Sequence, residues 1–497
     1  MRIYKNFEQA KNGTLIPVFQ NGKTMESRYN PQRDAETLCA SISEGYSFFL
    51  VIGIGSGLFI QKLSERFPDA KIIGLEIFDE DINFLKESET VQKLLNNKSV
   101  FLTGIENVEK TLIENYLPAK YGELKIIEQK VWISENSEYI EKINRILQKA
   151  IGIISADYSV QAHFGKLWNF NILNNAKLSE IYQKNISSQI TNYISEDCLS
   201  KTAVIVAAGP TLDKTISMLY QREKYFIIST DTAASSLEKH SITPDLIISI
   251  DGQNVSYNHF MKNQSSLYAF DLCANSSAAK HIIDEGGKVL FFCSGHPLSS
   301  AINASVNNSF PFLFSGAGTV TITAVDFAVQ SGFENILILG ADFSYSNGKA
   351  YAGGTYLDSL YNKASTLLSP SEKTFCKLLF RTELKSIDDR YTTEILEAYK
   401  LSLEKYLSNL NISFYKKDDI YFLTNKAHKD FSHKSQHTPC NFSLSAFLNK
   451  IKTSTAEESE ILLLPYIAWL RNQEKYKNLP YNDLLKLAFE SIVRYNI

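Results

Sequence analysis

Apolar residues arrive along this chain mostly in short unbroken runs, separated by amphipathic stretches of helix length. FFLVIGIG, an amphipathic segment and then AKIIGLEI set a strand-helix-strand rhythm within residues 1–175. The rhythm returns between about 200 and 360 with five apolar strands: AVIVAA, YFIIST, LIISID, VLFFCS and NILILGA. Beyond about 365 strands become rare, and TTEILEAYKLSLEKYLSNL places Ile395, Leu396, Tyr399, Leu403, Tyr406, Leu407 and Leu410 at helical spacing. The pattern predicts an N-terminal α/β domain over 1–175, a central α/β domain with a mostly parallel sheet over 176–365, and a mainly helical region over 366–497.

The central strands share a property at their ends. They run into Gly209-Pro210-Thr211-Leu212, Asp231-Thr232, Asp251-Gly252, Ser294-Gly295-His296 and Ala341-Asp342. In a parallel sheet all carboxyl ends lie along one edge, where ligands bind at helix amino termini. Gly209 spares the backbone a side chain near a phosphate, Pro210 suits a first helical turn and Thr211 offers a hydroxyl. Asp231 follows at the distance from which an acid reaches a ribose. Farther on, Gly316, Gly318 and Thr319 precede a helix with Thr321 and Thr323 in its first turn, an expected anion cradle. Asp342 then leads a glycine-rich loop holding Tyr345, Lys349 and Tyr351, which is suited to close over a substrate. Taken singly, each turn is equally explained by the capping chemistry that any α/β protein needs.

Composition narrows the classes. The chain has 497 residues, 44% hydrophobic, and its 51 basic and 54 acidic residues leave a net charge of -3, giving no bulk attraction to nucleic acid or an anionic membrane. Six cysteines without paired spacing suit a reducing compartment. The start lacks a signal-like apolar segment and no apolar run is long enough to span a bilayer, so the expectation is a cytoplasmic protein without membrane insertion. Asp79-Glu80-Asp81 is read as a helix start, and His428, His433, His437 and Cys440 as a solvated loop, so no metal site is expected.

GPTLD at 209–213, TDTAASSLEKHSITPDLIISIDGQ at 230–253 and GAGTVTITAVDFAVQSGFENILILGADFSYSNGKAYAGGTY at 316–356 resemble the motility-associated factor (Maf) glycosyltransferases. These share a central domain named for similarity to the archaeal 6-hydroxymethylpterin pyrophosphokinase MptE and similar in fold to bacterial sialyltransferases. GKLWNFNILNN at 165–175 is similar to the family's connecting segment, and the GIGSG unit to its Rossmann-like first domain. The resemblance covers roughly residues 40–360. It implies transfer of a CMP-activated nonulosonic acid to Ser or Thr of flagellin, with no tightly bound cofactor and no metal requirement. It also implies that Gly209, Pro210, Thr211 and Leu212 form the nucleotide loop, with Thr in place of the usual Ser. By the same resemblance Asp231 and Asp251 are the acidic strand ends, Gly316, Gly318 and Thr319 the glycine-rich helix start, and Asp342 the acid of a GxDL-like motif. Tyr351 stands where many relatives carry a His.

Sugar transfer needs a held nucleotide, stabilised phosphate charge and a base for the acceptor hydroxyl. Thr232, Ser294, Gly295 and Tyr345 join the nucleotide-binding candidates. Asp342 and Asp251 are the first candidates for the base and His296 the next, while Tyr351 can donate to the departing phosphate. Three other readings stay open. Gly53, Gly55 and Gly57 with Glu76 match the loop and acid by which methyltransferases hold S-adenosylmethionine. Asp231, Asp251 and Asp342 around Mg²⁺ would make an ATP-dependent pyrophosphokinase. A flagellin-binding chaperone would use the helical C-terminal region without binding any nucleotide. The sequence leaves donor sugar, acceptor residues and oligomeric state open.

Overall fold

A computed structural model describes residues 2–182, 189–262, 265, 267–316, 318–346, 348–410, 412–425 and 442–495. His428, His433, His437 and Cys440 lie outside the described residues. The chain forms two compact units, Met1–Gly165 with Leu463–Phe489, and Lys166–Leu462 with Glu490–Ile497.

In the first unit an antiparallel hairpin, β1 (Tyr4–Gln9) and β2 (Leu15–Phe19), precedes a four-stranded parallel sheet. That sheet holds β3 (Phe48–Ile52), β4 (Lys71–Glu76), β5 (Val100–Gly104) and β6 (Leu124–Glu128) in the order β5-β4-β3-β6. Every residue of β3 is buried, as expected of a parallel strand covered on both faces. The helix Glu460–Arg471 contains Pro465, whose carbonyl comes so close to Gly165 that a Cβ there would sit 1.8 Å from it. Only glycine allows that approach.

The second unit is built on eight strands. β7 (Thr202–Val206), β8 (Tyr225–Thr230), β9 (Leu246–Ser249), β10 (Leu267–Asp271), β11 (Lys288–Phe292) and β12 (Asn335–Leu339) are mutually parallel. The hairpin β13 (Lys385–Ile387) and β14 (Arg390–Thr392) stands apart, while β15 (Ser413–Lys417) and β16 (Ile420–Thr424) extend the large sheet antiparallel beside β12. The order is β11-β10-β9-β8-β7-β12-β16-β15. All five strands expected in this domain are present, in a mostly parallel sheet. Three strands of this sheet were not expected, β10 and the β15–β16 pair, and the pair comes, like the separate β13–β14 hairpin, from the mainly helical C-terminal region.

Two helices set the site. Val320–Ser331 is buried on nearly every face and packs beneath β7, β8 and β9. The second is the C-terminal part of the helix Ser137–Tyr182, where Asn171 and Asn175, one turn apart, face the sheet edge. Asn171 Nδ2 donates to the carbonyls of Gly252 at 3.0 Å and Cys273 at 3.1 Å, and its Oδ1 accepts from the Ser276 hydroxyl at 3.1 Å. Asn175 Nδ2 donates to the carbonyls of Leu272 at 3.0 Å and Ala274 at 2.8 Å. Buried carbonyls beyond β9 and β10 are thereby satisfied by one helix face.

Candidate functional site at the carboxyl edge

Chain order decides where the edge opens. From β7 the strands step one way through β8, β9, β10 and β11, then the chain returns to place β12 on the other side of β7. Loops leaving β7 and β12 therefore diverge, which is the switch point where open α/β sheets bind ligands. Gly209–Leu212 follows β7 and Gly340–Asp342 follows β12.

These two loops are fastened together. Thr211 donates its backbone N–H to Asp342 Oδ2 at 2.8 Å and its hydroxyl to Asp342 Oδ1. Gly209 N–H donates to the Gly340 carbonyl at 2.8 Å. A Cβ on Gly209 would meet that carbonyl at 2.4 Å and Asp342 Oδ2 at 2.7 Å, so the glycine is required by the neighbouring loop, whatever a phosphate would demand. Asp342 is buried, and burial lifts its carboxyl above the usual range against the pull of the Thr211 bonds. With both oxygens engaged, Asp342 positions the loop and is poorly placed to serve as the base. The loop after it folds back: Ala352 N–H donates to the Ala208 carbonyl at 2.8 Å and Gly353 N–H to Asp213 at 2.9 Å.

Next along the edge, Asp231 Oδ1 accepts from Thr232 N–H at 2.7 Å and Oδ2 from the Ser249 hydroxyl at 2.6 Å. Tyr351 lies close enough for the negative charge of Asp231 and the phenol of Tyr345 to act on it, and burial raises its own phenol, keeping the proton on at neutral pH. Tyr345 itself pairs through its backbone with Tyr391. Asp251 is half-buried, and its Oδ1 accepts from Gln253 N–H at 2.8 Å. Burial raises the Asp251 carboxyl and the neighbouring Asp231 charge adds to the rise. Of the acids proposed as base, Asp251 is the one whose carboxylate is not fully committed.

Asp271 ends the unforeseen β10 as Asp231 and Asp251 follow β8 and β9, adding a further, fully buried acid to the edge. Its Oδ1 accepts from Cys273 N–H at 2.6 Å, and the Ser294 hydroxyl opposes the upward push of burial. Gly295 at φ 109° turns the chain into His296. There the expectation of a base meets a physical obstacle. His296 Nδ1 accepts from Leu298 N–H at 3.2 Å, which places the neutral ring's proton on Nε2, and burial lowers its pKa to about 3. Such an imidazole is a neutral donor. Its Nε2 is buried without a hydrogen-bond partner among the described residues, and the ring stands edge-on to Trp168 at 5.5 Å. β11 is four strands from β7, about 19 Å at the usual spacing, so His296 and the Gly209 loop cannot grip the same group.

The glycine-rich helix start differs from the expected cradle. Thr321 and Thr323 are buried in the core, so their hydroxyls are not offered to an anion. A Cβ on Gly316 would strike Ile322 at 2.7 Å, whereas Gly318 and the half-buried Thr319 remain at the surface of the turn.

In the first unit the S-adenosylmethionine reading meets a filled site. Glu76 accepts from Tyr4 OH at 2.9 Å, Ile54 N–H at 2.7 Å and Trp132 Nε1 at 2.8 Å. Ser56 N–H is taken by Glu26 at 2.6 Å, and Trp132, Met25 and Glu26 occupy the space a Cβ would need at Gly53 and Gly55. The acid and glycine loop that would hold a ribose hold the chain's own side chains. The pyrophosphokinase reading is also opposed, because Asp231 and Asp342 are engaged separately and among the described residues no group of three or more His, Cys, Asp or Glu is placed to hold a metal ion.

Comparisons with known proteins bear on the domain and the fold. Residues 171–348 match the family described as 6-hydroxymethylpterin diphosphokinase MptE-like, a span that begins at the Asn171 clasp and ends past Asp342. Two Treponema pallidum (strain Nichols) proteins, each described as uncharacterized, are similar to the chain. One is 30% identical over 230 residues, 46% of this chain and 75% of that protein, and the other 32% identical over 152 residues, 30% and 69% respectively. The chain belongs to the family of these proteins. Among solved structures, the MAf glycosyltransferase from Magnetospirillum magneticum AMB-1 shares its fold with a TM-score of 0.55, covering 98% of this chain and 90% of that one at 14% identity. The fold and the MptE-like domain both support the resemblance read from the sequence.

Proposed function

We propose that the protein is a glycosyltransferase that moves a nonulosonic sugar from a CMP-activated donor to Ser or Thr of flagellin, acting in the cytoplasm in support of flagellum assembly and motility. The observation that carries this reading is the switch-point crevice, where the Thr211 loop is locked to Asp342 and three acids continue along the same edge. The fold shared with a MAf glycosyltransferase supports it.

In this reading the nucleotide lies on the Gly209–Leu212 loop, with Asp231, held by Thr232 and Ser249, next along the edge on the ribose side. Asp251, two strands away and about 10 Å along the edge, takes the acceptor proton. Tyr351 is a neutral donor for an oxygen that gains negative charge as the glycosidic bond to phosphate breaks. Each group has one task set by its surroundings.

Calorimetry on the full chain tests the proposal with CMP, ATP and S-adenosylmethionine, each in EDTA and in Mg²⁺. CMP is expected to bind in EDTA, and Thr211→Val is expected to weaken it. Binding of ATP only with Mg²⁺, or of S-adenosylmethionine alone, overturns it.

A further inference from the structure

The C-terminal hairpin brings groups to the crevice that neither the strand-end pattern nor the family resemblance points to. Because β16 runs antiparallel to β12, with Ile338 opposite Tyr421, the turn between β15 and β16 lies at the carboxyl end of β12, beside Asp342. That turn is two residues long, and Asp418 and Asp419 both have positive φ, 51° and 66°, the geometry that keeps a hairpin tight. Lys416 and Tyr421 face one another across it, with the Lys416 Nζ 5.0 Å from the Tyr421 ring centre. From the β13–β14 hairpin, Arg390 Nη2 reaches Asp419 Oδ2 at 2.6 Å, and the positive charges of Arg390 and Lys416 both act on Asp342.

Three details separate this cluster from an ordinary surface ion-pair network. Tyr421 is 1% exposed, yet its hydroxyl has no hydrogen-bond partner among the described residues, although Asp342, Asp419 and Glu404 all act on it electrostatically. A buried hydroxyl left unmet costs stability and is uncommon without a purpose. Phe343, directly after Asp342, sits at φ 50°, a strained conformation for a bulky residue, and the Thr392 hydroxyl holds its carbonyl at 2.9 Å. Finally, Lys214 and Lys400 join Arg390 and Lys416 in the same field, gathered around the carboxylates of Asp342, Asp389, Asp419 and Glu404.

We infer that Lys416 and Tyr421, with Arg390 behind them, bind the phosphate of the nucleotide donor at the mouth of the Gly209–Leu212 loop. This rests on the nucleotide-sugar reading and adds to it the group that carries the donor's negative charge. Lys416 supplies the countercharge and the Tyr421 hydroxyl a directed hydrogen bond, while Arg390, already paired with Asp419, fixes the hairpin that presents them.

The test is calorimetric titration of the full chain with CMP and, separately, with cytidine, for wild type, Tyr421→Phe and Lys416→Met, with thermal melting of each. Tyr421→Phe removes an unmet hydroxyl and leaves the ring, so its melting temperature is expected to hold or rise. CMP affinity is expected to fall about tenfold in each variant while cytidine binds all three proteins alike. Unchanged CMP affinity in Tyr421→Phe, or equal losses for CMP and cytidine, overturns the assignment and leaves the nucleotide reading standing. A wild type that binds neither ligand overturns both. Should Lys416→Met fail to fold, the Tyr421→Phe comparison decides alone.

Discussion

Asp342 and Asp251 carry the same side chain beyond two strands of one sheet, yet their neighbours assign them different tasks. Asp342 gives both oxygens to Thr211, and Asp251 gives one to Gln253 and keeps a half-buried face. Asp251→Asn is expected to lower kcat by about 10²- to 10⁴-fold with CMP affinity unchanged, the signature of a lost proton acceptor, checked by steady-state kinetics beside calorimetry. Asp342→Asn should instead loosen the loop, weakening CMP binding and lowering stability by about 1–3 kcal/mol in denaturant unfolding. The pH profile separates the base candidates further. A base works only when deprotonated, so kcat/KM should rise with pH through a value above the ordinary aspartate range, since burial raises Asp251. His296, near 3, contributes no ionisation around neutrality. A single rising limb at the ordinary histidine pKa, abolished by His296→Gln, would point to the imidazole instead.

Elements explain how the edge is held and why parts of it were hidden from sequence reading. Asn171→Ala and Asn175→Ala each leave buried carbonyls unmet, and each is expected to cost about 1–3 kcal/mol in denaturant unfolding of the full chain. β7, β8, β9, β11 and β12 were legible because strands buried on both faces must be apolar throughout. β10, LYAFD, is equally buried, but its Tyr and terminal Asp break the apolar run, and Asp271 was missed along with it. β15, SFYKK, is a largely exposed edge strand, and β16, IYFLT, alternates, so the pair carries a two-sided pattern with an Asp-Asp turn in place of a glycine signal. Arg390, Lys416 and Tyr421 were invisible for that reason: their place depends on an antiparallel pairing more than 80 residues along the chain from β12. Asn171 and Asn175 had a signal, two of the four asparagines between 169 and 175, spaced one helical turn apart. In the first unit the glycine loop and Glu76 were read correctly as a Rossmann-like turn, but no local pattern announces that Tyr4, Glu26 and Trp132 fill it. Burial raises Glu76 from 4.5 to about 7 and Asp81 from 3.8 to about 6. The folded state thus keeps protons that the unfolded chain releases, so the stability these groups contribute declines as pH rises from about 4 to about 7 and then levels off. Thermal midpoints should fall across that window, and Glu76→Gln should flatten the fall.

At the scale of the whole molecule, fold and function are separate inferences. A fold shared with a MAf glycosyltransferase over 98% of the chain at 14% identity fixes the architecture, and chemistry must then be argued from the residues on its edge. Those residues favour a held nucleotide, a committed loop acid and a freer acid three strands away, over a metal-gathering triad or a cofactor in the first unit. The most direct measurement is the intact mass of flagellin after incubation with the full-length protein, a CMP-activated nonulosonic acid and EDTA, with Asp251→Asn in parallel. A mass gain of whole nonulosonic residues on Ser or Thr with wild type, absent with Asp251→Asn, is the predicted result. Unmodified flagellin from a wild type that binds CMP, or equal modification by Asp251→Asn, would contradict it.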